Sequence, residues 1–297
     1  MKRILLILIL FICLPSLGSA KVLTDAAGRP VDLPAEPERV VSLAPSITEL
    51  VYSLGQEAKL KGATQYSNYP PAARRLPRVG SYVHLDLERI VSLRPDLCLA
   101  IRDGNPKHTI EQIEAMGIPV FAIDPRNLTE IMESVTMLGE VLGARVRAAA
   151  LVENMQERIA RVQERVGRAE HQPRVFFQVD AHPVVSVGTK TFIHELVTLA
   201  GGRNVTAGSV TYPRCNWEDI LRLQPEVAII TSMAGGHSPQ ELRAAWQQWP
   251  QLEAVRRGRV HVVDANLFDR PTDRLVRGLE TLARLIHPEL YGDEGDF

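Results

Sequence analysis

The chain has 297 residues, 34 Lys+Arg against 35 Asp+Glu for a formal net charge of −1, and 45% hydrophobic but only 5% aromatic residues. That balance argues against a nucleic-acid partner, which calls for a basic face. Three cysteines make no disulfide framework, and the length suits two lobes of ordinary domain size better than one core.

Residues 1–20 read as an export segment. Lys2 and Arg3 form a basic start, residues 4–14 are apolar and uncharged, and Gly18-Ser19-Ala20 supplies small residues for a signal peptidase. The apolar run is too short for a spanning helix of about 20 residues. Cys13 follows Phe11-Ile12, where a lipoprotein signal places small residues. The expectation is cleavage after Ala20 and export from the cytoplasm. Cys98, in an apolar strand pattern, and Cys215, in a polar loop, are expected as unpaired thiols.

A buried strand at 39–43 leads into SITELVYSLG (46–55). Ser46 and Glu49 fit a capping box there, the serine oxygen taking one free amide and the glutamate returning to another. Gly55 then ends the helix, because glycine tolerates the left-handed conformation. LERIVSLRPDLCLA (87–100) reads as a short helix stopped by Pro95 and followed by an apolar strand. A strand at 119–123 and a helix at 128–142 come next. Residues 144–170 space Leu151, Met155, Ile159, Val162 and Val166 three or four apart, which predicts an amphipathic helix of about seven turns. Its heptads are too few for a coiled coil, so it reads as a rigid strut.

The second half repeats the first in order. After a strand at 174–179, FIHELVTLAG (192–201) matches SITELVYSLG, and WEDILRLQPEVAII (217–230) matches LERIVSLRPDLCLA. The aligned pairs include Glu49/Glu195, Gly55/Gly201, Glu88/Glu218, Pro95/Pro225 and Asp96/Glu226. A strand at 260–263 and a helix at 272–286 close the pattern. Apolar strands alternating with helices imply an α/β fold, two lobes with parallel sheets joined by one long helix. The expected divisions are a lobe at 21–142, a linking helix at 143–170 and a lobe at 171–297.

The few aromatics collect in loops: Tyr66 and Tyr69 in QYSNYPP, Tyr82 after Gly80-Ser81, Tyr212 in VTYP, and Phe268 in NLFDR. A loop needs them less for a core than a helix does. They are candidate walls for a ligand held near the carboxyl ends of the strands. Arg102 and Arg270 are candidate anchors, and His182 is a candidate ligand contact as a neutral imidazole. The histidines form no H-x-H or HExxH pair, which argues against a resident metal, and no G-x-S-x-G elbow appears. Glu88 and Glu218 sit near the starts of equivalent short helices. A carboxylate there favours the positive end of the dipole by about 0.3–1 kcal/mol.

RVVSLAPSITELVYSLG, YSNYPP, VGSYVHLDLERIVSLRPDLCLA and GTKTFIHELVTLAGGRNV together closely resemble the periplasmic binding proteins of iron-chelate and cobalamin importers. The chain looks most similar to the cobalamin-binding members. The resemblance implies two α/β lobes bridged by a single long helix. It implies a monomeric carrier, not an enzyme, without cofactor, whose transported ligand is cobalamin or a related corrinoid and whose partners are the membrane subunits of an ABC importer. It implies ligand contact at Tyr66, Tyr82 and Tyr212, and outward-facing Glu88 and Glu218 that meet arginines of the importer. The chain departs from the pattern at three points. Residues 180–185 lack a phenylalanine, Leu267 stands where a tryptophan is expected, and Asn266 where an acidic residue is expected. These departures keep haem and ferric siderophores as alternative ligands, with Arg102 and Arg270 serving an anionic chelate. An exported enzyme such as a chelatase is the remaining class.

Overall fold

The computed structural model describes residues 21–231 and 238–292, so the expected export segment lies outside the described residues. An antiparallel hairpin, β1 (Lys21–Thr24) and β2 (Pro30–Leu33), opens the N-terminal lobe. Then come β3 (Val40–Ser42), α1 (Pro45–Ser53), β4 (Leu60–Ala63), α2 (Leu87–Ser92), β5 (Leu97–Ile101), α3 (Lys107–Ala115) and β6 (Val120–Ile123). Strands β3 to β6 form one parallel sheet in the order β4-β3-β5-β6. Val40, Val41, Leu97, Cys98, Leu99, Val120 and Phe121 are all buried, because helices cover both faces and no alternation is needed. Burial pushes the Cys98 thiol up to about 12, and both it and Cys215 are free.

Two long helices follow, α4 (Leu128–Leu142) and α5 (Arg145–Val166). The C-terminal lobe then runs β7 (Arg174–Gln178), β8 (Asp180–Ala181), β9 (Val184–Val185), α6 (Phe192–Leu199), β10 (Arg203–Asn204), β11 (Arg214–Cys215), α7 (Trp217–Leu223) and β12 (Val227–Ile230). It ends with α8 (Pro239–Gln247), α9 (Glu253–Arg256), β13 (Val260–Val262) and α10 (Leu275–Ile286). Its parallel sheet has the order β10-β7-β12-β13, and a small antiparallel sheet, β11-β9-β8, stands beside it. Among the described residues no helix is long and apolar enough to cross a membrane.

The internal repeat extends to hydrogen bonds. Asp96 accepts from the amides of Glu38 and Arg39, while Arg39 Nε donates to Arg94 O. In the second lobe Glu226 accepts from the Arg174 amide, and Arg174 Nε donates to Gln224 O. Arg94 and Gln224 both hold positive φ, 47° and 42°. The same carboxylate-arginine device thus ties a helix-ending turn to the first strand in each lobe.

The expected linking helix is α5, and α4 packs along it as a second helix shared by both cores. Leu128 and Ile131 of α4 belong to the C-terminal core, whereas Val135, Leu138, Val141 and Leu142 belong to the N-terminal core. Helix α5 runs back the other way, with Ala148 and Val152 on the N-terminal core and Met155, Ile159, Val162 and Val166 on the other. A Cβ at Gly139 would lie 2.3 Å from Ala148 Cβ, so this glycine sets how closely α4 and α5 approach. Arg158 fastens α5 to α10 through two bonds to Glu280, 2.7 and 2.6 Å.

The expected capping box is also corrected. Ala44 is the N-cap of α1 with Pro45 in its first turn, and no side chain caps it. Glu49 turns instead across the lobe boundary, its side chain 1% exposed, to meet Arg270 at 2.6 Å and Arg274 at 3.2 Å. Its repeat partner Glu195 accepts from the Leu128 amide at 2.8 Å, so the equivalent glutamate of the other lobe takes one of the free amides at the start of α4. Ser53 Oγ donates to Asp273 Oδ1 at 3.0 Å beside the Glu49 clamp. Removing one partner of a buried ion pair costs about 3–5 kcal/mol, because the remaining charges stay buried. Glu49→Ala is therefore expected to lower the free energy of unfolding by that order in chemical denaturation; a loss under about 1 kcal/mol would show the seam does not depend on it.

Candidate functional site

The carboxyl ends of both parallel sheets lead into the loops where ligands sit in open α/β folds. In the N-terminal lobe, β4 runs into the loop carrying Tyr66 and Tyr69. A chain of buried hydroxyls fixes that loop: Ser42 Oγ to Thr48 Oγ1 at 2.8 Å, Thr48 to Ser67 Oγ at 2.9 Å, and Thr64 to Ser67 at 3.0 Å. Arg78 adds two bonds, to the carbonyls of Thr64 and Ser67. Asn105, after β5, holds the neighbouring loop by donating to Tyr82 O at 2.8 Å and Leu43 O at 2.9 Å. In the C-terminal lobe, Gly188 allows the Tyr212 loop to close in. A Cβ there would lie 1.8 Å from Val210 O, and the Gly188 amide donates to Thr211 O at 2.8 Å.

Four of the chain's six tyrosines are held this way with their rings in reach of solvent: Tyr66 is 54% exposed, Tyr69 41%, Tyr82 37% and Tyr212 48%. Large aromatics elsewhere, such as Phe121, Phe176, Phe177 and Trp246, are buried in the cores. Burial raises the Tyr212 pKa, with smaller contributions from Asp269 and then Tyr82. Two grooves elsewhere, of about 450 and 420 Å³, are lined by no aromatic residue and offer a flat ligand no stacking wall.

The other expected site residues fare differently. Phe268 is fully buried and packs edge-on against Phe177, ring centroids 5.5 Å apart, so it is a core residue and not a cleft wall. Apolar burial wins there because the loop folds down over α10 at Gly278. Arg270 stands in the seam with its guanidinium already engaged by Glu49 and by Tyr66 O at 3.0 Å. Arg102 is half exposed and lies 3.6 Å from Asp124, which also pairs with Arg126 at 2.8 Å. His182 is exposed between β8 and β9. Leu267 packs on the C-terminal core, and Asn266 donates to Asp264 within its own turn at 2.9 Å. Glu88 and Glu218 are exposed in the first turns of α2 and α7, and neither forms an ion pair with a described residue. The arginines beside them are committed locally, Arg89 to Asp86 and Arg222 to Asp219.

Sequence reasoning missed the seam. Arg274 stacks over the Tyr69 ring at 3.7 Å while pairing with Glu49. Burial raises the Glu49 pKa, opposed by Arg270 and then Arg274. Asp273 is likewise raised, burial again leading, against its bond from Ser53. The four-residue spacing of Arg270 and Arg274 just ahead of an amphipathic helix was the available signal.

The periplasmic binding protein family matches residues 40–267. A vitamin B12-binding protein of Photorhabdus laumondii is 33% identical over 254 residues, 85% of this chain and 89% of that one. The crystal structure of the periplasmic vitamin B12-binding protein of Vibrio cholerae superposes with a TM-score of 0.74 at 28% identity, covering 86% of this chain and 99% of its own. A periplasmic heme-binding protein from Pseudomonas aeruginosa gives 0.77 at 27% identity, covering 85% and 93%. With its two parallel-sheet lobes, shared helix pair and family match over most of its length, this chain belongs to the periplasmic binding protein family.

Proposed function

We propose that the chain is the exported substrate-binding subunit of an ABC importer and that it captures cobalamin or a related corrinoid between its lobes. The observation that carries this reading is the set of four solvent-reaching tyrosines, held by buried hydrogen bonds on loops at the carboxyl edges of the sheets. Fixed aromatic faces suit a flat macrocycle and lose little side-chain entropy on binding. The names of the vitamin B12-binding relatives point the same way. Haem is the second reading, favoured by the likeness to the heme-binding protein. Arg270 and Arg274 are committed to Glu49, which favours an uncharged macrocycle rim over an anionic siderophore.

Glu88 and Glu218 serve docking in this reading. They are exposed, equivalent in the repeat, and carried on lobes braced by the seam and the helix pair, so their separation is set by the fold. Charges at an interface rim act mainly on orientation and association rate.

Calorimetric titration with cyanocobalamin, haem and ferric siderophores in parallel tests the ligand. Saturable binding of cyanocobalamin is expected, and its absence alongside tight haem binding would replace the first reading with the second. Tyr66→Ala and Tyr212→Ala are each expected to weaken that affinity by roughly tenfold, the loss of a stacking face and its buried area. The Glu88→Ala, Glu218→Ala double variant is expected to slow association with the importer by about tenfold and to lose salt dependence, with ligand affinity unchanged. Reduced ligand affinity in that variant would remove the docking assignment.

A further inference from the structure

Glu49 holds two guanidiniums at once. Arg270 Nη1 donates to its Oε1 at 2.6 Å and Arg274 Nη1 to its Oε2 at 3.2 Å, with Thr272 Oγ1 3.4 Å from the same Oε2. The acid side chain is 1% exposed and the two arginine side chains 13% and 15%. Carrying one carboxylate and two guanidiniums into so dry a seam is costly, and apolar residues of similar volume often hold such a place as well or better. Stability alone does not account for the cluster.

Its position offers a reason. Both arginines also touch the loop that bears the cleft tyrosines. Arg270 Nη2 donates to Tyr66 O at 3.0 Å, and the Arg274 guanidinium carbon lies 3.7 Å from the centre of the Tyr69 ring. Two cations therefore stand one contact away from exposed tyrosines, yet both are turned onto a buried acid. Asp273, held by Ser53 Oγ at 3.0 Å, sets a second acid beside them.

We propose that Glu49 sets the charge selectivity of the cleft, withholding Arg270 and Arg274 so that uncharged chelates are taken and carboxylate-bearing ones rejected. This rests on the reading of the tyrosine loops as the ligand site. A carboxylate entering the cleft must leave water, and a cation already spent on Glu49 does not replace its hydration. Specificity is a difference of affinities, and denying a partner to the wrong ligand is one way to create it. Glu49 acts through the arginines and is a positioning residue.

Cyanocobalamin and its monocarboxylic acids, in which one side-chain primary amide has become a carboxylate, are probes of nearly equal shape and different charge. Calorimetric titration of the wild-type protein at neutral pH is expected to show the acids binding about tenfold more weakly, the order of one uncompensated charge near a protein surface. Glu49→Gln keeps an acceptor for Arg270 but removes the counter-charge, and is expected to narrow that gap by about tenfold. Arg274→Gln removes a cation instead and is expected to widen it. The double variant Glu49→Gln, Arg274→Gln returns the clamp to its original net charge and is expected to bring the gap back. A purely structural Glu49 would weaken both probes together and leave their ratio unchanged in every variant, which would overturn the proposal. Wild-type protein that binds the acids as tightly as cyanocobalamin would also overturn it, and that comparison needs no variant to fold. If cyanocobalamin does not bind, the corrinoid reading falls separately, and haem against haem dimethyl ester repeats the comparison. Preference for the ester then upholds the charge selection, and preference for the diacid overturns it.

Discussion

Glu49 sits where the two lobes meet, and the loops around it are arranged to satisfy its charge. Taking a carboxylate out of water is costly unless close cations and hydrogen bonds replace the lost hydration. Arg270 and Arg274 do this, and neither stops at Glu49. Arg270 also reaches Tyr66 O, and Arg274 lies over the Tyr69 ring. The two N-terminal tyrosines of the cleft are therefore positioned by C-terminal arginines. A change in lobe angle would alter ion pair, carbonyl contact and stacking contact together.

The remaining positioning is local to each lobe and made of polar atoms hidden from water. The Ser42–Thr48–Ser67–Thr64 chain and Asn105 hold the loops of one sheet edge, and the tight contact at Gly188 holds the Tyr212 loop of the other. Buried hydroxyls and amides with all partners in place hold a conformation more tightly than apolar packing alone, since each alternative leaves a polar atom unpaired. The exposed rings thus rest on rigid supports, and a ligand stacking on them as proposed would lose less ordering entropy.

The lobes were legible because their signals are local and periodic. Helix α4 has the bounds that the strand-helix alternation predicted, and the Glu88/Glu218 and Asp96/Glu226 pairs mark equivalent turns and helices. What was not legible depended on partners distant in sequence. Ser46 and Glu49 satisfy a capping pattern on spacing alone, yet the acid is used by arginines more than 200 residues later. Phe268 sits in a loop by sequence, but that loop folds inward onto Phe177. The spacing within α4 shows an apolar face and cannot show that the face is divided between two cores. Strands as short as β8, β9 and β11 carry too few residues for a period to register.

The division of α4 and α5 between cores also bears on how the molecule comes apart. The chain passes along the lobe boundary twice, in opposite directions, and each core is completed by residues from both helices. Unfolding either lobe strips apolar partners from the other, so the stabilities of the two lobes are coupled. A destabilising change in either half is therefore transmitted to the other through the shared helices.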